Sequence, residues 1–172
     1  MKENLLFIFL KTHNIAYQLF EHQPVFTVDD KPAIKTIDGV TTSSEVIPQP
    51  YFKTLFLTDK KGKFFLVSVL EDKHVDLNTL GKQLQCARLT FGKTDELLEY
   101  IKVSPGSVTP YGLLFDEQNK VTYIFDKDAL NHQWTSFHPM RNDMTIVTSL
   151  QNFLTCMQLM HHEPVVMQIP VK

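Results

Sequence analysis

One stretch constrains this chain more than any other. Two apolar runs, Leu55-Phe56-Leu57 and Phe64-Phe65-Leu66-Val67-Ser68-Val69-Leu70, flank the polar Asp59-Lys60-Lys61-Gly62-Lys63. Extended apolar segments on either side of a short polar turn predict a β-hairpin over 53–70. Around it the pattern alternates between extended and helical. A dense apolar run from Asn4 to Asn14 predicts a buried helix with Asn14 suited to its C-terminal cap, and 16–20 reads as extended. From Thr27 to Pro50 the pattern dissolves into polar residues with prolines at 32, 48 and 50, which predicts a long surface loop.

After the hairpin, Leu77, Leu80 and Leu84 recur at helical spacing behind Asp76. Thr94, Asp95 and Glu96 then open a second short helix through Leu97, Leu98 and Ile101. Tyr111–Phe115 and Val121–Phe125 read as a second pair of extended segments about the turn 116–120, with a third apolar stretch ending at Phe137. Thr148 or Ser149 is placed to cap a helix carrying Leu150, Phe153, Leu154 and Met157, and 164–169 reads as a last strand. Clustered hairpins with helices between them predict an α+β fold, a mixed sheet with helices packed on it, in one domain spanning 1–172.

Several function classes lose their basis here. The apolar run Leu5–Leu10 is far shorter than the roughly 20 residues of a bilayer span, and no cleavage-site pattern follows it. A cytoplasmic protein is expected. Net charge is −2, so nucleic-acid contact must be local rather than bulk electrostatics. No GxGxxG, GxxxxGKS or GxSxG motif is present. Cys86 and Cys156 lack basic neighbours that would make a thiolate and read as small buried hydrophobes. The adjacent pair His161-His162 has no third ligand at a recognisable spacing, so no metal or other cofactor is expected.

Three local features stand out: Lys53 at the start of an apolar strand, the turn-rich Pro105-Gly106-Ser107-Val108-Thr109-Pro110, and Phe137-His138-Pro139 followed by Arg141-Asn142-Asp143. Taken singly, each also fits an ordinary solvated lysine, a connecting turn and a loop histidine. Together, in this order, they resemble the YbaK-type aminoacyl-tRNA editing-domain family, in particular its free-standing prolyl-tRNA synthetase-associated (ProX-type) branch. The segments that carry the likeness are FEHQPVFTVDD from Phe20, KTLFLTDKKGKFFLV from Lys53, VDLNTLGKQL from Val75, RLTFG from Arg88, VSPGSVTPYGLLFD from Val103, VTYIFDKDAL from Val121 and FHPMRNDMT from Phe137. GSVTP matches the family's GxxxP element.

The resemblance implies a central, largely antiparallel, barrel-like sheet flanked by helices. It also implies hydrolysis of mischarged aminoacyl-tRNA, most closely removal of alanine from tRNA(Pro), with the tRNA acceptor end as partner and prolyl-tRNA synthetase as a possible one. Neither membrane nor DNA is expected. An aminoacyl ester is already activated, so it needs a placed water, donors for the developing oxyanion and a fixed ribose rather than a covalent nucleophile. By resemblance, Lys53 engages the terminal phosphate and ribose, backbone N–H groups of the loop from Gly106 and Ser107 through Val108 to Pro110 face the ester carbonyl, and His138 lines the amino-acid pocket. Phe26, Thr27, Phe52, Thr54 and Asn142 complete the expected substrate site.

Gly106 permits positive φ and close backbone approach, and Pro110 stiffens the loop's far side. Two positions depart from the branch: Thr54 stands where Asn is usual, and Phe52 where a small polar residue is. A different aminoacyl group, cysteine or serine, or a catalytically weak tRNA- or synthetase-binding module, stays open beside the alanine reading. Without the resemblance, the residues leave a small-molecule-binding α+β domain. Lys60, Lys61, Lys63, Lys82, Arg88 and Arg141 are the basic residues nearest the matched motifs.

Overall fold

A computed structural model describes residues 2–22, 24, 34–36 and 47–172, with only the backbone at 34–36. The elements run α1 (Lys2–Thr12), β1 (Gln18–His22), β2 (Ile34–Thr36), β3 (Phe52–Thr58), β4 (Phe64–Leu70), α2 (Leu77–Gln83), β5 (Thr90–Phe91), α3 (Thr94–Tyr100), β6 (Val121–Asp126), β7 (Trp134–Phe137), β8 (Met144–Ser149), α4 (Leu150–Leu159) and β9 (Val165–Met167). This is an α+β fold. One sheet, ordered β2-β1-β8-β7, is antiparallel throughout. The other, β5-β3-β4-β6-β9, is mixed: β3 pairs antiparallel with β4 and β5, while β4–β6 and β6–β9 are parallel.

The predicted hairpin forms with Phe52 opposite Leu70 and Thr58 opposite Phe64. Asp59 holds its turn by accepting the N–H groups of Lys61 (2.8 Å) and Lys63 (2.9 Å). The apolar run of β4 is nearly unbroken because both faces of the mixed sheet are buried, and strict alternation is needed only where one face is wet. Phe56, Leu66, Tyr123 and Phe125 face a core shared with Leu6 and Leu10 of α1, Phe137, Ile146 and Phe153. Leu57, Phe65, Val67, Val69 and Ile124 face the other way, against Leu80 of α2, Leu89 and Ile169. Full burial of each such side chain contributes about 1.5–3 kcal/mol.

Helix boundaries follow local chemistry. Asp76 caps α2 by accepting from the amides of Asn78 and Thr79, and Ser149 caps α4 through Asn152. Asn14, at φ 54°, takes the left-handed conformation just after α1.

Two expectations need correction. The apolar run 111–115 is a 3-10 turn (Pro110–Phe115), not a strand. Thr109 caps it, Pro110 fixes its first residue, and Gly112 lies so close to Ile101 that a Cβ there would stand 2.7 Å from the Ile101 carbonyl oxygen. The helix α3 opens at Thr94 as expected, behind Lys93 as its cap, whose N–H donates to Glu96 (2.7 Å). The expected loop 27–50 contains strand β2 at its centre, and residues 25–33 and 37–46 lie outside the described residues.

Candidate active site

Residues flanking two of the segments singled out in the sequence pack on a ring of the third. Phe137, ending β7, lies 4.8 Å from Phe52 at the start of β3, 6.4 Å edge-on from Tyr111 behind the Gly106 to Pro110 loop, and 5.0 Å from Phe153 of α4. Ser136 Oγ, one residue earlier, donates to the Pro50 carbonyl at 3.1 Å, which fixes the mouth of β3 beside the end of β7. His138 follows directly. Phe52 and Phe125 also stack, at 5.9 Å, so an aromatic wall backs this corner.

β-strand pleating divides the β3 candidates. Phe52 and Phe56 face the main core while Leu55 and Leu57 face the second, so Lys53 starts on the side opposite Phe52 and Thr54. Among the described residues Lys53 is in no ion pair. Thr54 Oγ1 is engaged with Ser68 Oγ across the hairpin at 3.0 Å, with Ser68 itself buried.

In the second segment, Gly106 has φ 88°, as a turn with proline second and glycine third requires. The turn is closed by the Ser107 N–H donating to the Ser104 carbonyl at 3.0 Å. That bond corrects the expected donor set: the Ser107 amide is already used, and Pro110 has none. Among the described residues no acceptor meets the Gly106 or Val108 amide. Gly106 is exposed and Val108 half-buried, while Thr109 and Pro110 are buried and anchor the loop.

In the third segment, His138 Nδ1 lies 2.7 Å from the Met144 carbonyl oxygen, which only accepts, so Nδ1 carries the hydrogen. Burial pushes the imidazole below its ordinary range. The Met144 bond and Asp143 oppose that shift, and neighbouring His22 adds to it. A neutral ring with Nδ1–H leaves Nε2 as an acceptor.

Sequence reasoning missed His22 as a neighbour of this ring. It is buried, its ring sits 5.9 Å from that of His138, its Nε2 lies 2.8 Å from Thr145 Oγ1, and its amide donates to the Asp143 carbonyl at 3.0 Å. The signal lay in the paired placement of FEH and FHPMRNDMT on antiparallel strands. Asn142 occupies the same turn, half-buried. Arg141 is ion-paired rather than free, with Asp143 at 2.6 Å and Glu3 at 3.3 Å. Arg141 in turn holds the Asp143 carboxyl below the usual carboxylate range, against burial. Phe26 and Thr27 lie outside the described residues.

Other titratable groups have structural partners. His162 Nε2 meets Asp116 Oδ2 at 2.9 Å and its Nδ1 the Met160 carbonyl at 2.8 Å, both side chains buried. Burial raises the Cys156 thiol to about 12 and pushes Cys86 up as well. Neither is a nucleophile at neutral pH. Among the described residues no helix is long and apolar enough to cross a membrane.

The family model and the curated relatives agree on one family, and a solved structure shares the fold. Residues 31–156 match the model of the aminoacyl-tRNA editing domain. The chain is 34% identical over 141 residues to the prolyl-tRNA editing protein ProX of Acetoanaerobium sticklandii, covering 80% of this chain and 79% of that one. It is 35% identical over 159 residues to the prolyl-tRNA synthetase associated domain-containing protein 1 of Mus musculus, covering 89% and 88%. The crystal structure of hypothetical protein APE2540 superposes with a TM-score of 0.70 at 17% identity, over 95% of this chain and 97% of that one.

Proposed function

Since the chain belongs to the aminoacyl-tRNA editing-domain family, we propose that it is a trans-acting deacylase hydrolysing the ester of mischarged Ala-tRNA(Pro), proofreading for prolyl-tRNA synthetase. The observation that carries this reading is that Phe52, next to Lys53, and Tyr111, next to the Gly106 to Pro110 loop, both pack on Phe137, next to His138. The span 1–172 acts as one editing domain. Water adds to the ester carbonyl, the tetrahedral oxyanion collapses, the ribose oxygen leaves with a proton, and free alanine and tRNA are released.

Each residue has a bounded task. Lys53, unpaired among the described residues, holds the terminal phosphate and ribose as a compact cation. The free amides of Gly106 and Val108 donate to the oxyanion, on a turn fixed in advance by Pro105 and the Ser107 to Ser104 bond. Neutral His138 shapes and polarises the amino-acid pocket through Nε2. Phe52 forms part of its wall. No side chain is assigned the base. By family resemblance the tRNA's own ribose hydroxyl assists the water, and no metal takes part.

Selection of alanine over proline is a sieve by size, and a difference of one methylene is worth only about 1–3 kcal/mol, which is why a second, smaller pocket is needed. The test is release of labelled alanine from Ala-tRNA(Pro) beside Pro-, Cys- and Ser-tRNA(Pro), with a chelator present and Lys53→Ala as control. Chelator-resistant, Lys53-dependent release of alanine alone is the expected result. Release of cysteine or serine moves the substrate, and tRNA binding without release from any of them overturns the catalytic reading in favour of a binding module.

A further inference from the structure

One buried group beside the site has no task in the hydrolysis, the imidazole of His22. We propose that His22 is a positioning residue: it backs the ring of His138 and so sets the size limit of the amino-acid pocket, which rests on the deacylase reading for placing His138 in that pocket. A ring held by one hydrogen bond still pivots about it, and the bond from His138 Nδ1 to the Met144 carbonyl is of this kind. A sieve that separates residues by one or two carbons needs a wall whose tilt is fixed as well.

Three consecutive residues where the chain enters β8 supply that constraint. The Asp143 carbonyl accepts the His22 amide at 3.0 Å, the Met144 carbonyl holds His138 Nδ1 at 2.7 Å, and Thr145 Oγ1 lies 2.8 Å from His22 Nε2. One short piece of backbone therefore sets both rings, whose centroids stand 5.9 Å apart at an interplanar angle of 51°. Strand pairing continues the clamp. β1 ends at His22 and runs antiparallel to β8, with Glu21 opposite Met144 and Phe20 opposite Thr145. Arg141 steadies the preceding turn through its two hydrogen bonds to Asp143, and Phe137 ties the chain on the other side of His138 into the core.

His22 and Thr145 are both buried, so truncating His22 to alanine opens a space against His138 inside the protein rather than at its surface. The His138 ring then tips into that space. The wall yields, and a proline ring enters where alanine alone was admitted. Thr145 acts one step further out: Thr145→Val keeps nearly the same shape but removes the hydroxyl that meets His22 Nε2, which frees the His22 ring to turn.

The readout is a ratio, which a loss of folded protein does not move. Binding of the non-hydrolysable, amide-linked 3′-alanyl- and 3′-prolyl-adenosines is titrated by NMR against the wild type, His22→Ala and Thr145→Val. Release of alanine and proline from charged tRNA(Pro) is followed in parallel. The wild type is expected to favour the alanyl compound roughly tenfold or more, as a difference of one or two carbons allows. His22→Ala should lower that ratio about fivefold or more, by gaining affinity for the prolyl compound, and Thr145→Val about threefold. Where His22→Ala does not fold, Thr145→Val and the milder His22→Gln decide by the same criterion. A ratio that stays at the wild-type value in the folded variants makes His22 an ordinary core residue and overturns the proposal, as does a wild type without the preference. Absence of release from any charged tRNA, with the binding ratio shifted as expected, speaks only against the deacylase reading.

Discussion

Two lysines sit at the same end of the β3–β4 hairpin in opposite electrostatic states. Lys73, just past β4, meets Asp126 at 2.8 Å and Asp128 at 2.6 Å, and Asp126 also accepts the Leu70 amide. Burial works against its charge, but hydrogen bonds to both carboxylates outweigh it and raise its pKa. Lys53, opposite Val69, is half-buried with no ion-pair partner among the described residues. A cation that holds a fold together is surrounded by its counter-charges, whereas one that awaits an anionic ligand is left without them. On the proposed reading, the difference separates a structural corner from a binding corner at one end of the same hairpin.

The contrast breaks most visibly at Lys73. Lys73→Met strands the fully buried Asp126 without its counter-charge and is expected to cost about 3–5 kcal/mol in denaturant unfolding. A loss below about 1 kcal/mol would erase the distinction. Lys53→Ala is the complementary case: deacylation is expected to fall roughly 100-fold while the unfolding midpoint barely moves, within about 0.5 kcal/mol. Equal losses of stability and activity would make Lys53 structural too.

Gly106→Ala tests the donor loop, forcing a side chain onto φ 88° at a cost of about 1 kcal/mol and lowering turnover. Full activity would remove the loop from the oxyanion. The smallest effect is a pH dependence. His138 is held below the ordinary imidazole value of 6.5, first by burial. Its contribution to stability is therefore complete above 6.5 and lost as pH falls through the lowered value. Activity should be level through neutrality and decline only on the acid side of the ordinary imidazole range. In a pH profile, His138→Gln should abolish that decline.

Much of this was legible in the sequence where the cause is local. The hairpin showed itself because its two strands and the turn are contiguous, and Asp76 and Ser149 because capping is a property of three or four residues. What escaped notice depends on partners far along the chain. The 111–115 run has strand-like composition, but Thr109 and the contact between Gly112 and Ile101 wind it into a 3-10 turn. Parallel pairing of β6 with β4 and β9 leaves no turn signature. At the site, the sequence pointed to Lys53, Gly106 and His138. It did not indicate that Phe52 and Tyr111 pack on Phe137, that His22 stands against His138, or that the Ser107 amide is occupied.

The mixed sheet is finished by residues from the last stretch of the chain. β9 lies parallel to β6, the Asp76 amide donates to the Pro170 carbonyl, the Lys172 amide to the His74 carbonyl, and Ile169 seals the core beneath α2. These contacts join segments distant in sequence, so their loop-closure entropy must be met before they contribute anything. On the ribosome the hairpin can form early. The edge of β6 stays unpaired until residues 165–172 have emerged, so the second core closes only once that stretch has been made.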